Sequence, residues 1–459
     1  MALALLLLTL RSVAAQTLED ALIEAYLHNP DLSAEQAALR AKDTRVPQAR
    51  AGYYPNLTAT LQGQYTRGDG RSAFVFPDEP GVDLSPYEEI LETQDADSTI
   101  ATLALKQNIY AGGGTSAALA KAEKQVRAGR ANLTSVEQTV LLNAANAYVD
   151  VWRDRGLMAE AQLNLERLSD RLTATRRRLE LGDVAQTDLA QAEAARARAQ
   201  ADRDQASANL ASSEATYERV IGMPKAVLGE PHAILELPRS LEESYRVADA
   251  NPDVVRATMD LSAARSDVDI AFANLLPSID LAGQLNYSDD PNPTYLHQKS
   301  AQIGITLTVP LFQGGGPSAK VRETNQTVQQ RQSQLDGVSG QIRQQVRTSW
   351  NAIVAARPAV ASYHVEADSN ALALRGVERE NSLGLRTVLD VLNAQYTLFQ
   401  SRSNLLRAQA DLVNASYKLK SAIGQLTVSD LGLSVEPYDP AVNFGRERTR
   451  LFGLDSVNP

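Results

Sequence analysis

Hydrophobic positions along the chain follow two periods, and the switch between them marks the elements. From Asn56, the positions Leu57, Ala59, Leu61, Gly63 and Tyr65 alternate with Asn56, Thr58, Thr60, Gln62 and Gln64. The same period of two returns in Ile279, Leu281, Leu285 and Tyr287 against Ser278, Asp280, Gln284 and Asn286. It returns again in Ile303, Ile305, Leu307, Val309 and Leu311 against Gln302, Thr306 and Thr308. Apolar-out, polar-in alternation over about 10 residues is the pattern of a transmembrane barrel strand. A half-buried strand of a soluble sandwich shows it too, so alternation alone leaves both open.

Elsewhere the period is helical. No Pro interrupts Ser116 to Leu181, so one helix there would run about 100 Å at 1.5 Å per residue. Leu119, Val126, Leu133 and Val140 recur every seven residues, then the phase jumps by four to Ala144, Val151, Met158, Leu165, Leu172 and Leu179. Val321, Val328, Leu335 and Ile342, followed by Val346, Ile353 and Val360, repeat the pattern with its jump. A heptad seam with a four-residue stutter is a coiled coil whose winding changes locally. Pro358 stands in the second copy only and predicts a kink or local relief there.

These segments belong to an internal duplication. Leu18-Glu19-Asp20-Ala21 leads to Asn29-Pro30-Asp31, as Leu241-Glu242-Glu243-Ser244 leads to Asn251-Pro252-Asp253. Tyr110-Ala111-Gly112-Gly113-Gly114 corresponds to Phe312-Gln313-Gly314-Gly315-Gly316, and Leu181-Gly182-Asp183 to Leu383-Gly384-Leu385. Each half reads as helix, two strands, very long helix, break, helix. The expected organisation is a signal peptide over 1–15, repeat 1 over 16–236, repeat 2 over 237–436, and a tail over 437–459 that is equatorial or disordered. The Gly triplets read as sharp strand-to-helix turns. No Gly-Lys-Ser/Thr follows them, so they are not phosphate loops.

Composition narrows the class. Among 459 residues aromatics are 5%, too few for a large aromatic core; the abundant Ala favours closely packed long helices. There is no Cys, which removes disulfides, thiolate metal sites and an acylated N-terminal Cys, and suits the cell envelope. The net charge is -10, a poor match to nucleic acid. Met1 to Leu10 is almost wholly apolar, without a basic residue before it, and Val13-Ala14-Ala15 supplies small residues for a cut after Ala15. Past that segment no run of about 18 apolar residues occurs, so a membrane span must be built from strands. Four strands cannot close a barrel, which starts at about eight, and open edges in hydrocarbon cost several kcal/mol per unpaired group. The chain must therefore associate, and three copies would give twelve strands.

The duplicated plan, the Tyr110-Ala111-Gly112-Gly113-Gly114 turn and the run Leu383-Gly384-Leu385-Arg386-Thr387-Val388-Leu389-Asp390-Val391-Leu392-Asn393-Ala394 resemble the TolC family, over about Leu18 to Leu433. The resemblance implies a mixed α/β membrane protein: a homotrimer with a shared 12-stranded β-barrel in the outer-membrane lipid and a coiled-coil α-helical barrel in the periplasm. An equatorial belt would come partly from the chain ends. It also implies an exit duct for efflux of small molecules or type I protein secretion. A periplasmic adaptor (membrane fusion) protein would open it, and an inner-membrane pump or ABC secretion transporter would power it.

Site residues follow from the same likeness. Leu181, Gly182 and Asp183, with Leu383, Gly384 and Leu385, become the adaptor-docking tips as well as interhelical turns. Asp390, repeated by threefold symmetry, would form a carboxylate ring that favours cations. The family's second acidic ring falls on Asn393, so one acidic ring is expected. The bland reading of Asp390 is a helix N-terminal residue interacting with the dipole. Gate links would join Arg386 to Thr187 and Asp188, while the aromatic donor of a second link is replaced by Asn381. The acidic stretch from Phe76 to Asp97 reads as a solvated extracellular loop, and Arg176-Arg177-Arg178 as a solvated face. His28, His232, His297 and His364 are scattered without ligand spacing. No nucleophile elbow or Ser/His/Asp arrangement is present, so neither an enzyme nor a cofactor site is expected. The alternatives are a periplasmic coiled-coil scaffold or adaptor without its own channel, and a trimeric adhesin stalk.

Overall fold

The computed structural model describes residues 16–73, 89–222, 227–292 and 295–453. The expected signal peptide, 1–15, and residues 76–88 of the acidic stretch lie outside the described residues. Chain order is α1 (Leu18–His28), α2 (Pro30–Asp43), α3 (Arg45–Arg50), β1 (Asn56–Ala73), β2 (Glu89–Ala111), α4 (Gly114–Glu180) and α5 (Gln186–Ile221). The second half continues with α6 (Leu241–Ala248), α7 (Pro252–Ala273), β3 (Ser278–Asn292), β4 (Tyr295–Thr308), α8 (Gly316–Ser382), α9 (Val388–Ala422) and α10 (Pro440–Glu447). The long helices α4 and α8 each have 67 residues.

The duplication extends to individual hydrogen bonds. Thr17 caps α1 by accepting from Asp20 N at 3.1 Å, and Ser240 caps α6 by accepting from Glu243 N at 3.1 Å. Asn29 Oδ1 accepts from Asp31 N, and Asn251 Oδ1 from Asp253 N, both at 2.9 Å. Each Asn thus satisfies a free donor of a helix that opens on Pro, whose missing N–H costs nothing at that position.

Compactness divides the chain differently from the repeat. One unit comprises residues up to Lys42, Val126–Asp260 and Gln332–Phe444; the other comprises Asp43–Gln125, Leu261–Arg331 and the chain from Gly445. Both repeats contribute to both units.

In the first unit the heptad seam is the core. Val126, Leu133, Val140, Ala144 and Val151 of α4 are buried, as are Ile342, Val346 and Ile353 of α8. The seam positions that flank each stutter are therefore buried, while Leu119, Val321, Val328 and Leu335, further toward the helix starts, are half-buried. Leu18, Ala21, Leu22 and Ala25 of α1 pack with Leu141, Tyr148, Tyr217 and Val413 in one cluster. The start of the tail, up to Phe444, joins the same unit: Tyr438 N donates to Tyr26 Oη at 2.9 Å, and the Arg130 guanidinium lies 5.0 Å from the Phe444 ring centre. At Pro358 the helix is not interrupted. Pro358 cannot donate to the Val354 carbonyl. Val354 is exposed, so water can take the freed acceptor.

In the second unit β1 to β4 form one antiparallel sheet in chain order. The register aligns Ala59, Leu103, Leu285 and Ala301 in one row and Leu61, Ala101, Tyr287 and Lys299 in another on the same face. Between them, on the opposite face, runs Thr60, Thr102, Asn286 and Ser300. Thr102 Oγ1 donates to Asn286 Oδ1 at 2.9 Å on that polar face. On the apolar face Leu57, Leu61 and Ile303 are 65%, 77% and 79% exposed. From Ile279 to Tyr287 this face rises about 26 Å at 3.3 Å per residue, close to the ~25 Å band of barrel strands. Tyr53, Tyr54 and Tyr110 stand exposed at one end of the band, Tyr65 and Tyr287 at the other, where aromatic girdles belong. The acidic stretch departs from the loop reading: β2 begins at Glu89, so residues 89–97 pair with β1 from Ala73 back to Tyr65.

The Gly triplets do form the strand-to-helix turns. Gly112 and Gly113 have φ of 59° and 85°, and Gly314 and Gly315 of 61° and 79°. Gly112 is constrained twice, since a Cβ there would lie 2.7 Å from the Ala273 carbonyl oxygen and 2.8 Å from Leu276 Cβ.

Candidate functional site

Apart from the strand-to-helix glycines, the candidate site residues lie at the two hairpin turns, one closing each helical pair, and in the helical turns beside them. After α4, Gly182 N donates to Leu179 O at 3.0 Å and Asp183 N reaches back to Arg178 O at 2.9 Å. After α8, Gly384 N donates to Asn381 O at 3.0 Å and Leu385 N to Glu380 O at 3.0 Å. Both glycines are left-handed, with φ of 79° and 77°, the helix-ending geometry that satisfies orphan carbonyls. Leu181, Leu383 and Leu385 are left exposed at these turns.

The following helices start alike but not identically. Thr387 is extended and caps α9: its Oγ1 accepts from Asp390 N at 3.1 Å. Asp390 Oδ2 in turn accepts from Thr387 N at 3.0 Å and Thr387 Oγ1 at 2.8 Å. The backbone bond from Thr387, then its hydroxyl, hold the Asp390 carboxyl below its ordinary value, with a smaller aid from Arg386. Asp390 is thus a capping-box residue, as the bland reading expects. Its Oδ1 takes no hydrogen bond or ion pair among the described residues. Asn393 lies one turn further on the same helix face, exposed.

In repeat 1 the counterpart of Asp390 is Asp188. Its Oδ2 accepts from Ala185 N at 3.1 Å. Ala185 has no hydroxyl, so this box is half made. Thr187, beside it, is exposed.

Arg386 does not reach Thr187 or Asp188 within one chain. Its Nε donates to Glu380 Oε2 at 2.8 Å, across its own turn, and Glu380 and neighbouring Asp390 strengthen its charged form. Asn381, buried, donates through Nδ2 to the Arg386 carbonyl at 2.8 Å. An amide at this position therefore ties the turn to itself.

Links between the two hairpins exist slightly further along the helices, on residues the pattern analysis did not single out. Arg171 of α4 pairs with Glu378 of α8 at 2.9 Å. Gln395 of α9 donates to Asn164 Oδ1 of α4 at 3.2 Å, and both are buried. Arg198 of α5 donates to the Tyr396 hydroxyl and stacks on its ring, 4.0 Å from the centroid. Beside them lies a cleft of about 540 Å³ whose rim includes Arg167, Arg171, Arg375 and Arg402. Such charges look like solvated helix faces until the partner helix is known.

Among the described residues no group of His, Cys, Asp or Glu is arranged to hold a metal, and no helix is long and apolar enough to cross a membrane. The profile of the family described as outer membrane efflux protein matches residues 21–223 and 244–425. The chain is 33% identical over 449 residues to the outer membrane efflux protein BepC of Brucella suis biovar 1 (strain 1330), covering 97% of this chain and 94% of that one. It is 25% identical over 433 residues to the outer membrane protein TolC of Escherichia coli (strain K12), covering 91% and 84%. The crystal structure of the outer membrane protein VceC from Vibrio cholerae superposes with a TM-score of 0.76 at 20% identity, covering 89% of this chain and 96% of that one. Long helical hairpins joined to a four-stranded share of a β-barrel are the fold of this group. The protein is not an enzyme but an outer-membrane channel component reaching into the periplasm, and it belongs to the outer membrane efflux protein family.

Proposed function

We propose that three copies of this chain assemble into the exit duct of an efflux or type I secretion system. The observation that carries this reading is the sheet. It presents a hydrocarbon-height apolar face and a polar face, yet both β1 and β4 are open edges within one chain. Pairing β4 of each copy with β1 of the next closes twelve strands and removes every edge. The same symmetry brings the hairpin turns of the three copies together. There the exposed Leu181, Leu383 and Leu385 serve as docking points for a periplasmic adaptor, and an inner-membrane transporter supplies the energy. Asp390, with its free Oδ1, forms the cation-selecting ring, and Asn393 extends it as a neutral ring. Arg386 engages Thr187 and Asp188 of a neighbouring copy only by leaving Glu380, a swap between exposed pairs that solvent screens alike.

Single-channel recording in planar bilayers tests this. Discrete cation-selective openings are expected, with selectivity lowered in Asp390→Ala. Unchanged selectivity would remove the ring assignment and keep the duct. Absence of openings from membrane-inserted protein, even with Arg386→Ala, would favour a periplasmic scaffold.

A further inference from the structure

Gln16 directly follows Val13-Ala14-Ala15, the small-residue run read as the export cleavage point. The structure holds this residue tightly. Gln16 N donates to Val227 O at 2.8 Å, and Gly229 N donates to Gln16 O at 3.0 Å. The Tyr148 hydroxyl lies 2.7 Å from the Gln16 carbonyl and 2.9 Å from that of Gly229, and its single proton serves one at a time. The Tyr217 hydroxyl donates to the side-chain oxygen Oε1 of Gln16 at 2.6 Å. Tyr148 and Tyr217 are 0% and 3% exposed, and their rings pack with centroids 6.5 Å apart.

Cleavage after Ala15 would turn the Gln16 nitrogen into an α-amine, with an ordinary pKa of about 8. A nucleophilic amine would then sit on the same residue as an amide whose oxygen already receives a hydrogen bond. We propose that Gln16, once freed, cyclises to pyroglutamate, with the Tyr217 hydroxyl as the donor that polarises its side-chain amide. The amine nitrogen bonds to Cδ, the Cδ–Nε2 bond breaks, a proton passes from the amine to Nε2, and ammonia leaves. No oxidant or reductant enters. Negative charge gathers on Oε1 as the nitrogen attacks, where the Tyr217 donor stabilises it. Burial pushes the Tyr217 hydroxyl up to about 12, so it keeps its proton. The lactam is neutral and retains one N–H and the carbonyl oxygen. It therefore keeps a donor for Val227 and an acceptor for Tyr217, without placing an ammonium at a half-buried site. This inference rests on cleavage after Ala15 and is independent of the channel reading.

The test is mass spectrometry and Edman degradation of the N-terminal peptide from freshly isolated outer membranes. A peptide beginning at residue 16, lighter by one ammonia and blocked to Edman chemistry, is expected. A free amine on Gln16, or an N-terminus at another residue, overturns the site. In pulse-labelled protein Tyr217→Phe, which keeps the ring, should cyclise on the order of tenfold more slowly, less than a dedicated oxyanion donor gives because Gln16 is only half-buried. Equal rates overturn the role of Tyr217. Should that variant not reach the membrane, wild-type protein held in urea replaces it. Faster closure in the native protein is expected, and equal closure in urea overturns the assisted reaction.

Discussion

One hydroxyl separates the caps of the two helices that follow the hairpin turns. Thr387 and Ala185 share the same extended cap geometry, and Asp390 and Asp188 both accept the cap N–H. Only Thr387 also accepts from the third helical residue and donates to its carboxylate. Replacing Thr387 with Ala should therefore cost about 1 kcal/mol locally, and Ala185→Thr should add a comparable amount. Amide exchange in the first turns of α9 and α5 reads both: faster in Thr387→Ala, slower in Ala185→Thr. The pH dependence has a definite sign. Because Asp390 is held below its ordinary 3.8 by the Thr387 bonds, its cap contribution is fully present above that value. It is lost as pH falls through the lower, folded value. The midpoint for loss of cation selectivity in the assembled duct should thus lie below the ordinary 3.8. A midpoint above it would mean that repulsion among three symmetric carboxylates outweighs the caps.

At the scale of elements, glycine positions sort by what surrounds them. Gly384 needs its left-handed φ of 77° but has open space where a Cβ would go. Gly384→Ala should cost about 1–2 kcal/mol, the price of that backbone alone. Gly112 combines φ of 59° with contacts of 2.7 Å and 2.8 Å to the Ala273 carbonyl and Leu276. Gly112→Ala should cost about 1–3 kcal/mol more, as overpacking adds to strain. Thermal dissociation of the purified oligomer should rank the variants in that order, with Gly113→Ala close to Gly384→Ala. These elements were legible from pattern because period and turn chemistry are local. Alternation marked β1, β3 and β4, the seven-residue step marked α4 and α8, and Gly marked the breaks. The start of β2 at Glu89 was hidden because the acidic stretch carries no period-two alternation, while the ladder that orders it is a backbone feature. The role of Asn381 was hidden because its partner is a carbonyl, which no side-chain pattern reveals.

For the whole molecule, the helical hairpins of the two repeats are joined by side chains that no motif announces. Arg171–Glu378 is part-exposed and contributes about 0–1 kcal/mol. The buried Gln395–Asn164 amide pair contributes about 1 kcal/mol. The Arg198 stack on Tyr396 adds about 0.5–1 kcal/mol at an exposed site. Together they reach only a few kcal/mol per chain. Yet threefold assembly would multiply them, while the Arg386–Glu380 pair, internal to its own turn, adds nothing between hairpins. If the closed end of the duct is kept shut by one hairpin holding the other, these three contacts share the resistance with the Arg402–Glu160 pair and the apolar cluster of Leu165, Leu168, Val388 and Leu392. The combined variant Glu378→Ala with Tyr396→Leu removes the α4–α8 ion pair and the α5–α9 stack without leaving a buried charge. Cells carrying it should become permeable to large antibiotics normally excluded by the outer membrane, with protein level and trimer stability unchanged. Glu380→Ala, which frees Arg386 from its own turn, should act in the opposite sense by making Arg386 available to a neighbouring copy. Wild-type permeability in the combined variant would mean that closure rests on contacts between copies, and would shift attention from the hairpin pair to Thr187, Asp188 and Arg386.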